Sequence, residues 1–165
     1  TKTHTGNVGT FKSPFWGPIA YVDTDKIVWN NMPIREKRFP VESLETDDVH
    51  LVKMTAGASS LILDALVENN VRGIVIEALG RGNVPPNIMP SIEKAIEKKI
   101  PLVLCSRCLG GRPLDIYGYE GGGKTITDLE GVLSGELNGQ KARIKLIVAL
   151  NSEGYRFENL KSYFD

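Results

Sequence analysis

Between residues 49 and 105, short apolar runs alternate with segments of helical period, and that alternation leaves the chain very few architectures. Val49-His50-Leu51-Val52-Lys53-Met54 reads as a strand, and Leu61, Leu63, Leu66 and Val67 then recur at helical spacing. Gly73-Ile74-Val75-Ile76-Glu77-Ala78 is nearly unbroken in apolar character, the pattern of a strand buried on both faces. A helix is expected over Ile88 to Lys99, with Ile92 and Ile96 aligned on one side, before a third apolar run, Pro101-Leu102-Val103-Leu104-Cys105. The order β-α-β-α-β requires right-handed crossovers and parallel pairing. The expected fold class is therefore three-layer α/β, a short, mostly parallel sheet flanked by helices. A long Gly-rich loop from Leu109 to Gly123 comes next, and helices near Asn138–Leu150 and Tyr155–Tyr163 close the chain.

Ahead of this core the pattern differs. Residues 1 to 18 are punctuated by Gly6, Gly9, Pro14, Gly17 and Pro18 and read as an irregular arm. Ile19-Ala20-Tyr21-Val22 and Lys26-Ile27-Val28-Trp29 flank Asp23-Thr24-Asp25, which predicts a hairpin. Pro33, Pro40 and the charge run Arg35-Glu36-Lys37-Arg38 then read as a solvated connector. The chain divides accordingly into residues 1–43, arm plus hairpin connector, and 44–165, the α/β domain.

Charge excludes some function classes. Twenty basic and twenty acidic side chains cancel, and no Lys/Arg cluster compensates locally, so nucleic acid is not an expected partner. The longest apolar stretches are about six residues, against the roughly 18 that span a bilayer, so no membrane partner is expected. Thr1 stands where an initiator Met would, so the chain reads as cut from a longer one. Two unpaired cysteines lean toward a reducing interior, and hence a cytoplasmic location.

In parallel α/β sheets ligands lie beyond the carboxyl ends of the strands, which here means the loops Thr55–Ser59, Leu79–Pro85 and Ser106–Thr125. Three motifs fall in them. Gly118-Tyr119-Glu120-Gly121-Gly122-Gly123-Lys124-Thr125 has the spacing of a phosphate loop, but Leu114-Asp115-Ile116-Tyr117 is a weak strand and Gly131 interrupts the segment behind it; the match reads as coincidental. Cys105-Ser106-Arg107-Cys108 lacks a second ligand pair for zinc and ends a strand rather than opening a helix, so Cys105 reads as a small buried strand residue. Gly80-Arg81-Gly82-Asn83-Val84-Pro85 begins like a dinucleotide fingerprint, yet Pro85-Pro86 forbids the helix it needs; it reads as a tight strand-to-helix turn. His4 has no acid or nucleophile nearby in sequence, and His50 sits in a strand where half-buried packing is its expected role. The residues alone thus describe an α/β ligand-site domain with no self-contained catalytic set, no metal site and no cofactor.

Four segments taken in order resemble the carboxyl-terminal half of the bacterial-type L-asparaginases: Gly73-Ile74-Val75 with Gly80-Arg81-Gly82-Asn83-Val84-Pro85, then Ser106-Arg107, then Gly139-Gln140-Lys141-Ala142-Arg143. Thr1-Lys2-Thr3-His4-Thr5, Thr10-Phe11-Lys12-Ser13-Pro14 and Gly17-Pro18-Ile19-Ala20-Tyr21 resemble the segment that closes the family's amino-terminal domain and enters its connecting hairpin. The resemblance implies hydrolysis of L-asparagine to L-aspartate and ammonia by a threonine nucleophile, without a cofactor. It places the nucleophile, a second threonine and an Asp-Lys pair in an amino-terminal domain that this chain does not contain, so no catalytic residue carries over; Thr1, Thr3, Thr5 and Thr10 lie downstream of those motifs. The family's carboxyl-terminal domain lends substrate contacts to a neighbouring protomer. Onto them map Gly57, where many members carry Asn, Ser59, and Glu120, whose carboxylate would pair with the α-ammonium of the substrate. The partners implied are the amino-terminal domain and a second subunit, in a homodimer or homotetramer. Two other readings stand beside this one: a free-standing domain that binds an amino acid or a partner subunit and regulates, and an amidohydrolase subunit feeding ammonia to a tRNA-linked amidotransferase.

Overall fold

The computed structural model describes residues 1–32, 38–45 and 48–165. The chain forms two compact units, Thr1–Arg38 and Phe39–Asp165. Arg35-Glu36-Lys37 of the expected connector lies outside the described residues.

In the first unit a bridge pairs Lys2 with Phe11, and the buried Thr10 donates its hydroxyl to the His4 carbonyl at 2.6 Å. The predicted hairpin is present: β1 (Ala20–Val22) runs antiparallel to β2 (Ile27–Trp29), with Ala20 opposite Trp29 and Val22 opposite Ile27. Tyr21, Val22, Ile27 and Trp29 all remain exposed.

The second unit is built on β3 (Val49–Lys53), β4 (Gly73–Ala78), β5 (Leu102–Ser106) and β6 (Val132–Leu133), all parallel and in the order β3-β4-β5-β6. Side chains alternate across a strand, and that alternation divides the core in two. Ile74, Ile76 and Ala78 of β4, with Leu102 and Leu104 of β5, face one layer. That layer holds α1 (Leu61–Glu68) through Leu63 and Val67, and α2 (Met89–Glu97) through Met89, Ile92 and Ala95. Val75, Val103 and Cys105 face the other. There they meet Leu160 and Tyr163 of a 3-10 helix, Phe157–Tyr163, and Ala142, Leu146 and Ile147 of the long helix Gly139–Leu150. The three-layer α/β expectation is met. Asp64 of α1 accepts a hydrogen bond from Ser91 of α2 at 2.7 Å, which holds its carboxyl below the usual range.

Three local differences have physical causes. β6 arises from only two residues that carry no readable period; Val132 is placed by its register with Val103, and Ser134 N–H donates to the Leu104 carbonyl. The expected loop ends in a short helix, α3 (Gly123–Asp128), so the long helix Gly139–Leu150 is α4. Gly131 lies just past the end of α3, packed so closely that a Cβ there would lie 2.7 Å from Ile126. The segment expected as a terminal α-helix near Tyr155–Tyr163 is instead the tighter 3-10 form.

Candidate functional site

All three loops expected to carry function lie beyond the carboxyl ends of the parallel strands, after Lys53, Ala78 and Ser106. The β4 loop is the anchor. Leu79 and Asn83 bridge to each other through paired backbone hydrogen bonds of 2.8 and 2.9 Å, with Gly80 and Gly82 at φ +51 and +109 supplying the reversal. Pro85 and Pro86 then lead into a short 3-10 turn, Pro86–Ile88, so the tight-turn reading of Gly80–Pro85 holds.

Both loops carrying the expected substrate contacts fasten to this anchor. In the β3 loop Gly57 adopts φ +73 in a turn closed by Ala58 N–H to the Thr55 carbonyl, and Asn87 clamps the Ala58 carbonyl through its side-chain amide at 2.9 Å. Ser59 is exposed and its hydroxyl accepts from Leu61 N–H at 3.4 Å, at the start of α1. On the other side Val84 N–H donates to the Gly121 carbonyl at 2.8 Å, and the Tyr119 hydroxyl meets the Asn83 side chain at 2.9 Å. Glu120 sits between these two tethers. Gly122 N–H and the Thr125 hydroxyl both donate to the Tyr119 carbonyl, and Tyr119 stacks on Tyr117 with ring centroids 5.6 Å apart. The Glu120 side chain is exposed and makes no hydrogen bond or ion pair among the described residues. Its backbone is held on both sides while its carboxylate faces solvent. No hydrogen bond joins Glu120 to Ser59 among the described residues; Asn83 and Asn87 are the struts that bring their loops to one end of the sheet. In the sequence Asn83 stands out only as a turn residue, and its position just after Gly82 was the available signal.

The phosphate-loop spacing does not make a phosphate site. A Cβ on Gly121 would overlap the Val84 carbonyl, one on Gly122 the Tyr117 carbonyl, and one on Gly123 would lie 2.5 Å from the Leu114 carbonyl. The space beside the three glycines is filled by the chain's own backbone, and Lys124 turns away to Asp128 at 2.8 Å. His50 is half-buried beside Asp48 at 3.3 Å, and His4 accepts local backbone hydrogen bonds from Gly6 and Asn7, so both histidines have structural duties. Among the described residues no group of three His, Cys, Asp or Glu side chains is placed to hold a metal, and no helix is long and apolar enough to cross a membrane. A cavity of about 520 Å³ beside β6, lined by Leu133, Phe157, Leu160 and Phe164 among others, includes none of Gly57, Ser59 or Glu120.

Cys105 is buried in β5 with its thiol on the Ile76 carbonyl, whereas Cys108 is exposed. Burial, then the nearby Glu77 charge, push the Cys105 thiol up to about 12. Alkylation with a maleimide at neutral pH is therefore expected to label Cys108 alone in the native chain and both thiols after unfolding. Two labels on native protein would contradict the placement of Cys105.

Residues 48–164 match the Glutaminase/Asparaginase C-terminal domain family. The chain is 34% identical over 168 residues to a probable L-asparaginase of Deinococcus radiodurans, covering 99% of this chain and 50% of that protein. It is 34% identical over 162 residues to L-asparaginase 2 of Escherichia coli, covering 91% and 43% respectively. It is also 34% identical over 122 residues to a glutamyl-tRNA(Gln) amidotransferase subunit of Methanosphaera stadtmanae, covering 70% and 28%. The chain thus spans about half or less of the length of these relatives.

Proposed function

The chain belongs to the glutaminase/asparaginase family as its C-terminal domain, and on that premise we propose that it completes the substrate site of an enzyme hydrolysing L-asparagine to L-aspartate and ammonia. The threonine nucleophile belongs to an amino-terminal half outside these 165 residues. This chain supplies Glu120, which binds the α-ammonium of the substrate, with Ser59 and the backbone at Gly57 lining the adjacent wall. The observation that supports this reading most is the pinned turn under Glu120: an exposed, unpaired carboxylate on a backbone held at Tyr119 and Gly121. A carboxylate so placed selects an α-amino acid by a charge-assisted hydrogen bond while spending little entropy on ordering itself. Gly57, without a side chain, leaves the wall less polar than the asparagine-bearing loop of many members. The exposed apolar hairpin face formed by Val22, Ile27 and Trp29 fits contact with the amino-terminal half and with a second subunit in a dimer or tetramer. The two free thiols fit a reducing compartment such as the cytoplasm.

The test is ammonia release from L-asparagine by this chain alone and after mixing with a separately made amino-terminal half. Silence alone and turnover on mixing are expected, and turnover by this chain alone would mean that it carries its own nucleophile. In the mixed enzyme Glu120→Gln is expected to raise KM by about tenfold or more, the scale of one charge-assisted hydrogen bond, with a smaller change in kcat. An unchanged KM would remove Glu120 from the site. The amidotransferase relatives favour one second reading, a subunit that releases ammonia for a tRNA-linked amidotransferase. Ammonia release that requires aminoacylated tRNA would select it.

A further inference from the structure

A second cavity, about 420 Å³, opens beyond the ends of β4 and β5 and is lined by Gly80, Arg81, Ser106, Cys108, Arg112 and Glu136, among others. None of Gly57, Ser59 and Glu120 lines it. We propose that this cavity binds a small organic carboxylate through Arg81 and Arg112.

The floor is built and rigid. The Ser106 hydroxyl, on a buried residue, donates to the Gly80 carbonyl at 2.6 Å and accepts Cys108 N–H at 3.1 Å, which locks the ends of the two strands together. Gly80 and Gly111, at φ +51 and +88, keep two stretches of the wall free of side chains. The rim carries the charge. Arg81 and Arg112 are exposed, and neither guanidinium has a hydrogen bond or ion pair among the described residues. Two unpaired guanidiniums on one concavity repel each other, and an anion between them relieves that repulsion while giving each planar fork the paired oxygens it matches. Arg107, placed at the same strand ends by its N–H to the Ala78 carbonyl, adds positive potential. The volume lies within the range of small-molecule sites and far exceeds the roughly 30 Å³ share of one water. It therefore suits an organic acid of several carbons better than a bare inorganic ion. Glu136, which has an interaction of its own, puts one carboxylate on the wall and further disfavours a compact dianion such as phosphate. Such binding is independent of asparagine hydrolysis and can be read on this chain without catalysis.

The experiment is calorimetric titration of the 165-residue chain with succinate, with its neutral isostere succinamide, and with inorganic phosphate at fixed ionic strength. Saturable binding of succinate is expected, with none for succinamide. Arg81→Gln and Arg112→Gln are each expected to weaken succinate by about tenfold or more, the scale of one hydrogen bond to a charged group. Lys26→Gln on the hairpin should leave it unchanged. Both arginines are exposed, so thermal unfolding of the variants should match the parent; the succinate and succinamide comparison on the unaltered chain stands regardless. Absence of saturable succinate binding, undiminished binding in both arginine variants, or tighter binding of phosphate than succinate would each overturn the assignment. Glu120→Gln should not affect this titration, so failure here and failure of the asparagine reading are separable.

Discussion

Gly121→Ala is expected to destabilise the Phe39–Asp165 unit by about 3 kcal/mol and to free the turn that holds Glu120. Two costs add. Gly121 has φ +83, a conformation in which an L side chain is strained by about 1–2 kcal/mol. Its Cβ would also overlap the Val84 carbonyl, a backbone atom with little room to retreat, and such overpacking costs about 1–3 kcal/mol. Val84 is held by its own N–H to the Gly121 carbonyl and is followed by Pro85 and Pro86, so relief by local movement breaks the contact that ties this loop to the β4 anchor. Gly111→Ala provides the comparison. Gly111 has φ +88 but nothing within 4 Å of a built Cβ, so only the strain of about 1–2 kcal/mol applies. Urea denaturation of both variants measures the difference. Equal losses would sink the close-approach explanation for the glycine run, and a larger loss at Gly121 should be accompanied by faster hydrogen exchange at Val84 N–H.

Ile76→Ala is expected to cost about 3–5 kcal/mol, since it truncates a branched side chain at a site that cannot collapse. Ile76 is 0% exposed on β4, which lies between β3 and β5, and it pairs in register with Val52 and Leu104. Backbone hydrogen bonds on both edges of the strand prevent the chain from closing over the void. Ile62→Ala on α1 is the control: Ile62 is 61% exposed, and a surface truncation of this kind falls within about 0.5 kcal/mol. Guanidinium unfolding followed by far-ultraviolet circular dichroism reads both. A loss at Ile76 no larger than at Ile62 would be incompatible with a buried central strand. Cys105 adds a pH dependence of its own. Its folded thiol is raised from an ordinary 9.0 to about 12, so its contribution is fully present below pH 9 and is lost as pH rises toward 12, where the unfolded chain ionises first.

The parallel core was legible because its strands are long enough to show their character. The runs ending at Met54, Ala78 and Cys105 each offer five or six residues, and the helices between them offer roughly two turns of period; the hairpin announced itself by its Asp-Thr-Asp turn. β6 has two residues and α3 six, below the length at which any period can be read. Both take their conformation from neighbours: Val103 and Leu104 for the strand, the carbonyls of Tyr117 and Leu114 for the start of the helix. The candidate site was legible in a different way. Gly57, Ser59 and Glu120 were picked by likeness to a family, and nothing in spacing or charge distinguishes Glu120 from other loop acids such as Glu136. Arg81 and Arg112 are far apart in the chain and carry no joint signal there; only the fold puts them on one cavity.

Local sequence determined which segments become strands and helices, and the near-continuous apolar character of Gly73–Ala78 required a layer on each face. Both follow from short-range sterics and from the burial of apolar surface, which adjacent residues decide between themselves. What only the tertiary structure decided is the meeting of loops: that Asn87 holds Ala58, that Val84 holds Gly121, and that Gly121, Gly122 and Gly123 serve backbone approach rather than a phosphate. The Asn87–Ala58 and Val84–Gly121 contacts join residues about 30 or more apart, so their energies become available only after the sheet has set the distances between the loop ends.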